Sequence, residues 1–377
     1  MRVSHFSAAL VAMLVGYGAS VALLLAAASA VGATPQQTIS WVAAVSVAKG
    51  LGSAGLSAWA RVPMVLAWST PGAALIAATT GVGIEAAAGA FLLAGVLVAL
   101  TGVVPVMGRA VRAIPQAVAS AMLAGVLLPF VMGVARYGTV EPWIVLPLLA
   151  VFLLTRLWNP LYAVLATLLV GLILGWSPPE TVRLEALPFT FVRPVFEPSV
   201  LIGLGLPLYL VTMASQNLPG FAVMSAHGYA PPVNAALVAT GIGSALIAPL
   251  GAHTFNMAAI TAAICMGDNV DPDRTRRWRV GVVYGALWVL MGWLTPVVLP
   301  AMLALPPAVV GTVAGLALIP ALTGALAGGM VDEPRRFAAI LTFATTASGV
   351  AAFGIGAAFW GLLAGLLALG LDRLKAR

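Results

Sequence analysis

The feature that most constrains this chain is its near-unbroken succession of apolar runs from residue 6 to residue 371. Most approach the roughly 20 residues that a helix needs to cross a bilayer. In lipid every backbone N–H and C=O must be paired internally, so only helices or a closed barrel can span. Runs of this length, without strict alternation, select helices. The composition agrees: 62% of the 377 residues are hydrophobic and 8% charged, with a mean hydropathy of +1.07. No stretch is long and polar enough for a separate soluble domain. The first apolar run lacks a convincing cleavage site and leads directly into more spans, so it reads as a membrane helix and not a signal peptide.

The expected fold is an all-α membrane protein of about 14 transmembrane segments. They lie near 6–31, 36–58, 62–80, 85–106, 114–135, 142–157, 159–176, 199–221, 231–250, 252–267, 278–300, 306–328, 336–351 and 353–371. With both termini cytoplasmic, the inside loops collect Arg2, Arg61, Arg109, Arg112, Arg156, Arg274, Arg276, Arg277, Arg279, Arg335, Arg336, Arg373, Lys375 and Arg377. The outside loops hold only Arg136, Arg183 and Arg193. That is a strong positive-inside bias, and a miscount of one span would scramble it. The net charge of +7 is therefore a topology signal, and no nucleic-acid partner is expected. The single cysteine, Cys265, excludes an internal disulfide and a multi-cysteine metal site.

Two segments look like copies. Trp68-Ser69-Thr70-Pro71-Gly72-Ala73-Ala74-Leu75 and His253-Thr254-Phe255-Asn256-Met257-Ala258-Ala259-Ile260 each set polar residues ahead of small apolar ones. They open the third and tenth spans, which are short and are preceded by extended residues (Val62–Leu66 and Pro249–Ala252). Leu14, Gly16, Gly18 and Leu23 likewise match Leu201, Gly203, Gly205 and Leu210, and Pro115 to Pro129 match Pro306 to Pro320. The chain thus divides into a first repeat (1–176), a Pro-rich periplasmic connection (177–198) and a second repeat (199–377). Seven spans per half is odd, so the halves are inverted (7+7), as in many secondary transporters. Two helices that start inside the membrane and face each other leave N–H groups and positive dipole ends for an anion.

Polar residues in spans are costly and mark function. Ser69, Thr70, Thr254 and Asn256 are natural helix caps that could also line a site, with backbone N–H groups near Thr70–Gly72 and Asn256–Ala258, Met257 among them, completing it. Ser215 and Gln216 lie in the eighth span. His253 is the histidine placed within a span; with an ordinary pKa of about 6.5 it is the proton-coupling candidate, against capping alone. Tyr17, Trp68 and Met213 could touch an aromatic ring or simply pack. Lys49 is a membrane-embedded cation that could snorkel, pair with Glu85 or meet the substrate directly. The run Asp268–Arg279 reads as a solvated loop. No phosphate loop, metal spacing or catalytic set occurs, so neither an enzyme nor a cofactor is expected.

The segments Ala67–Ala74, Val211–Gly220 and Phe255–Cys265, with Gly32-Ala33-Thr34-Pro35, Ile114-Pro115-Gln116-Ala117 and Gly354–Gly361, resemble the BenE family of bacterial benzoate:proton symporters. The resemblance covers nearly the whole chain. It implies an inner-membrane carrier of benzoate or a related aromatic carboxylate, with the fold of nucleobase and sulfate-type permeases. In that fold a core (spans 1–4 and 8–11) moves against a gate (spans 5–7 and 12–14), with substrate between spans 3 and 10. The expected partners are the carboxylate, a proton, the bilayer and a second copy in a homodimer. Nucleobase permeases usually carry glutamates near His253 and Ser215; their absence here suits an anion, which carboxylates would repel. Rival readings are a same-fold carrier of another small anion or a nucleobase, and a channel-like pathway.

Overall fold

The computed structural model describes residues 2–160, 162–175, 189–268 and 270–375. Most of the connection at 177–198, including Arg183, therefore lies outside the described residues, as do Arg377 and the side chains of Arg112, Arg373 and Lys375.

The chain begins with α1 (Val3–Gly18) and α2 (Val21–Ala30), which together make one apolar stretch, and α3 (Pro35–Ala60). A capping box starts α3: Thr34 Oγ1 accepts the Gln37 N–H, and Gln37 Oε1 accepts the Thr34 N–H, with Pro35 at the first helical position. Strand β1 (Leu66–Trp68) and the eight-residue helix α4 (Thr70–Ala77) follow. Next come α5 (Ile84–Val103), α6 (Pro105–Ala113), α7 (Gln116–Val140), α8 (Pro142–Trp158) and α9 (Ala163–Leu174).

After the connection, α10 (Pro198–Val200), α11 (Leu206–Thr212) and α12 (Leu218–Ala226) run together through two π-helical turns, at Leu201–Gly205 and Met213–Asn217. Then α13 (Val233–Ile247) leads through a tight turn into β2 (Phe255–Met257) and α14 (Ile260–Met266). The last helices are α15 (Trp278–Leu303), α16 (Pro307–Met330), α17 (Arg336–Ala347) and α18 (Ala357–Lys375). Eight helical stretches among the described residues are long and apolar enough to cross a membrane; α8, α9 and α18 are shorter apolar helices.

The two strands pair antiparallel, Leu66 with Met257, Ala67 with Asn256 and Trp68 with Phe255. They form the one sheet among the described residues and lie in the buried centre. This register corrects the expected alignment of the two copies. The second strand begins four residues later than matching Trp68 to His253 requires, and α14 starts at Ile260, not near His253. The physical reason is pairing: Phe255–Met257 must be extended to exchange bonds with β1, so these residues cannot open a helix. The extended stretch expected at Pro249–Ala252 is instead a 3-10 turn at Ala248–Leu250, closed by Gly251 at φ +79°, a left-handed conformation that glycine adopts freely.

Helix α3 packs on α15 at its closest through two glycines. A Cβ on Gly50 would lie 2.7 Å from the Gly285 carbonyl oxygen, and one on Gly285 would lie 2.7 Å from the Ala54 nitrogen. That approach brings Lys49, just before Gly50, against Trp288, one turn beyond Gly285.

The run Asp268–Arg279 is not a merely solvated loop. Asp271 is buried against His5 (Nε2–Oδ2, 3.0 Å) and reached by Arg2 (3.3 Å). Arg277 is also buried and bonds the Met266 and Asp271 carbonyls and Asp268. The start of α1 is thus tied to the end of α14.

Candidate functional site

The strand crossing gathers a cluster of buried polar side chains, Ser69, Thr212, Asn217, His253, Thr254 and Asn256. Ser69 caps α4 by accepting the Gly72 N–H at 3.2 Å. Thr212, at the end of α11, donates to Ser69 Oγ at 3.2 Å and lies 3.0 Å from Thr254 Oγ1. All three are buried, and their hydroxyls form a chain from the foot of β2 to the first short helix. Thr254 therefore serves this chain, not a helix cap.

His253 sits just ahead of β2 and is fully buried. The Trp41 indole N–H, which can only donate, bonds His253 Nδ1 at 2.9 Å. The proton must then be on Nε2, which donates to the Ser69 carbonyl at 3.1 Å. Trp41 and Phe91 pack against the ring. With both nitrogens engaged, the ring has no open lone pair for an incoming proton. His253 ties α3 to the start of α4, which departs from the role of proton carrier expected of it.

Asn256 occupies the middle of β2, not a helix cap. Its Nδ2 donates to the Met257 carbonyl at 2.9 Å and to Gln216 Oε1 at 3.4 Å. Its Oδ1 is buried with no hydrogen-bond partner, a costly state for an amide oxygen unless something arrives to meet it. Of the backbone donors expected near Asn256–Ala258, two are already used: Asn217 Oδ1 accepts the Met257 N–H at 3.0 Å, and Val65 O accepts the Ala258 N–H at 2.9 Å. Asn217 also reaches the Met213 sulfur, 3.4 Å away.

Ser215 is partly exposed and returns its hydroxyl to the Val211 carbonyl at 2.6 Å. Thr70, the first residue of α4, is half-buried, and Gly72 has the Leu208 side chain within 2.6 Å of where a Cβ would stand. The π turn at Met213–Asn217 inserts an extra residue into the helix. It carries the run Ser215-Gln216-Asn217 beside β2.

Of the aromatics expected to meet a substrate ring, Trp68 lies over Lys49 and Tyr17 packs against the Trp68 and Trp288 rings. Trp68 Nε1 donates to Ser20 Oγ at 2.6 Å. Lys49 does not pair with Glu85, which lies exposed in the first turn of α5. Its ammonium is buried over the Trp68 and Trp288 rings.

The sequence reading missed Thr212, Asn217, Trp41 and Trp288. Thr212 stands one turn before Ser215 and Gln216, so helical spacing could have added it. Trp41 and Trp288 come from distant elements and carry no local signal.

With this geometry in view, comparison with known proteins is informative. In fold, the chain resembles the transmembrane domain of a cyanobacterial bicarbonate transporter, BicA, at TM-score 0.59 and 13% identity, over 97% of this chain and 98% of that one. It also resembles the inward-facing murine anion transporter Slc26a9 at TM-score 0.61 and 14% identity, over 100% of this chain and 69% of that one. In sequence it is 38% identical to the inner membrane protein YdcO of Escherichia coli over 366 residues, 95% of this chain and 93% of that one. It is 30% identical to the benzoate membrane transport protein of Acinetobacter baylyi, over 96% and 93% of the two chains. The family model for benzoate membrane transport proteins, BenE, matches residues 1–371. A family match over nearly the whole chain, joined by 30% identity to a benzoate membrane transport protein, makes this protein a member of the benzoate membrane transport family, a membrane transporter and not an enzyme.

Proposed function

We propose that the protein imports benzoate or a related aromatic carboxylate across the bacterial inner membrane together with a proton. The observation that carries this reading is the cluster of hydroxyl and amide side chains, Ser69, Thr212, Gln216, Thr254 and Asn256, gathered beside the capped start of α4. Such a cluster in a membrane interior calls for a small polar guest. The carboxylate end would lie between β1–α4 and β2–α14, near Thr70, Gly72, Asn256 and Gln216, with Ser215, Met213 and Met257 bordering it. The dipoles of the short helices favour an anion there.

The transport cycle in this reading uses 14 spans in two inverted halves, 1–176 and 199–377, with both termini cytoplasmic. A core of spans 1–4 and 8–11 carries the site and moves against a gate of spans 5–7 and 12–14, so each side opens in turn. His253 positions the first helix start, and a homodimer is the assembly expected.

The test is uptake of labelled benzoate into proteoliposomes with and without an inward proton gradient. Saturable uptake that accumulates benzoate only under the gradient is expected. Uptake that never exceeds equilibration sinks symport, and non-saturable flux identifies a channel-like pathway. Competition by unlabelled nucleobases or inorganic anions, and not by aromatic carboxylates, would replace the substrate.

A further inference from the structure

Lys49 lies within α3, about 21 Å of helix from its start and about 17 Å from its end, and is 1% exposed. Its Nζ stands 3.4 Å from the centre of the Trp68 ring and 3.1 Å from that of Trp288. These two indoles meet edge to face, 5.0 Å apart, and Tyr17 closes the box at 6.0 and 6.1 Å from them. Aromatic faces attract a cation but do not neutralise it.

Among the described residues, Lys49 makes no ion pair. The elements packed against it supply Tyr17 from α1, Tyr284 from α15, Cys265 from α14 and His253 ahead of β2 as titratable groups. None is a carboxylate; α2, α13, β1 and β2 hold no ionisable side chain. One turn before Lys49 on the same helix, Ser46 Oγ is buried without a partner, as is the Trp288 indole nitrogen. A buried ammonium with no counter-charge is costly. Lys49 is separated from the capped start of α4 by one indole, because Trp68 directly precedes Ser69.

We propose that Lys49 is the proton-binding residue of transport, its charge matched by the carboxylate of the bound substrate. This rests on the carrier reading above and assigns its coupling site. The neutral amine takes a proton from the outer side, its lone pair forming the new N–H bond. The resulting ammonium is held by Trp68 and Trp288 while the anion occupies the strand crossing. When the anion leaves inward, the proton returns to water on that side. Anion and proton therefore favour each other's binding by the same factor, as linkage requires.

Lysine-to-arginine and lysine-to-methionine substitutions separate charge from titration, since arginine stays protonated and methionine never charges. Benzoate affinity of the wild-type protein in nanodiscs should fall as pH rises, with a limiting slope of roughly tenfold per pH unit for one linked proton. In Lys49→Met it should be flat and at least about tenfold weaker at the acid end. Lys49→Arg should bind at all pH values and exchange benzoate, yet lose gradient-driven accumulation; it also preserves the cage cation if the Met variant fails to fold. Accumulation under the gradient by either variant overturns the assignment. A readout without substrate keeps the two readings apart. Tryptophan fluorescence of the wild type should show a pH transition that both variants lack, and its survival in both overturns the role of Lys49 whatever the substrate is. If the wild type shows the transition but neither binds nor exchanges benzoate, the substrate reading fails and Lys49 remains a proton site.

Discussion

Replacing His253 by Ala removes one bond from each of two buried partners, the Trp41 indole N–H and the Ser69 carbonyl. An unmade buried bond costs about 1–3 kcal/mol, so His253→Ala should melt well below the wild type. Its benzoate uptake should fall while the pH dependence of the remainder persists, as measured by thermal unfolding and proteoliposome uptake. Asn256→Ala likewise removes the donor to the Met257 carbonyl and to Gln216 Oε1, so it should also lower the melting temperature. By releasing Gln216 beside the site it should weaken benzoate binding by roughly tenfold, on the order of 1.4 kcal/mol. Isothermal titration would check it, and unchanged affinity would remove Asn256 from the site. The residue types at this centre were legible in the sequence, because Ser, Thr, Asn, Gln and His inside apolar spans stand out. Their partners were not. That Trp41 fixes the His253 tautomer depends on two residues from different elements meeting, and no spacing rule encodes it.

At the scale of elements, the two short helices differ. α4 has a serine cap and a proline in its first turn. α14 follows Ala259, with no side-chain cap, and is preceded by a strand whose N–H groups are largely committed. The sequence showed that both segments were short and broken. It misaligned them, because similar small-residue runs match at several offsets and only strand pairing chooses one. The close contact of α3 and α15 is a second determinant. A Cβ at Gly285 would meet the Gly50 carbonyl and the Ala54 nitrogen, both backbone atoms that cannot swing away. Gly285→Ala should therefore lower stability by about 1–3 kcal/mol and disturb the Lys49 cage; a melting temperature equal to that of wild type would refute the contact.

The tie between the start of α1 and the loop after α14 is the third element-level device. Burial pushes the Asp271 carboxyl up, but the Asp273 N–H, His5 and Arg2 outweigh it and hold it below the usual carboxylate range. Its charged form is thus favoured by folding. The stability it contributes is present above the unfolded value of about 3.9 and is lost as pH falls through the lower, folded one. Asp271→Asn should melt below wild type at pH 7, with the gap closing as both are taken below pH ~4.

The whole molecule makes a claim about sidedness. Phe353, at the turn before α18, is 88% exposed, and Thr275, in the loop after α14, is also exposed. The span count places these loops on opposite sides of the membrane. In a Cys265→Ser background, Phe353→Cys should react with an impermeant thiol reagent from the periplasm and Thr275→Cys only after the cytoplasmic face is opened. Labelling of both from one side would refute the topology.

Legible in the chain alone were its many helical, membrane-length apolar runs, the gathering of its basic residues between them, and the shortness of two segments. These follow from local quantities: run length, hydropathy, charge placement and the capping habits of Ser, Thr and Pro. Only the tertiary structure decided the register of Leu66–Trp68 against Phe255–Met257, the neutral, doubly bonded state of His253 and the enclosure of Lys49 by indoles. Each of these is a contact between residues far apart in the chain. Its energy lies in a partner that local sequence cannot name.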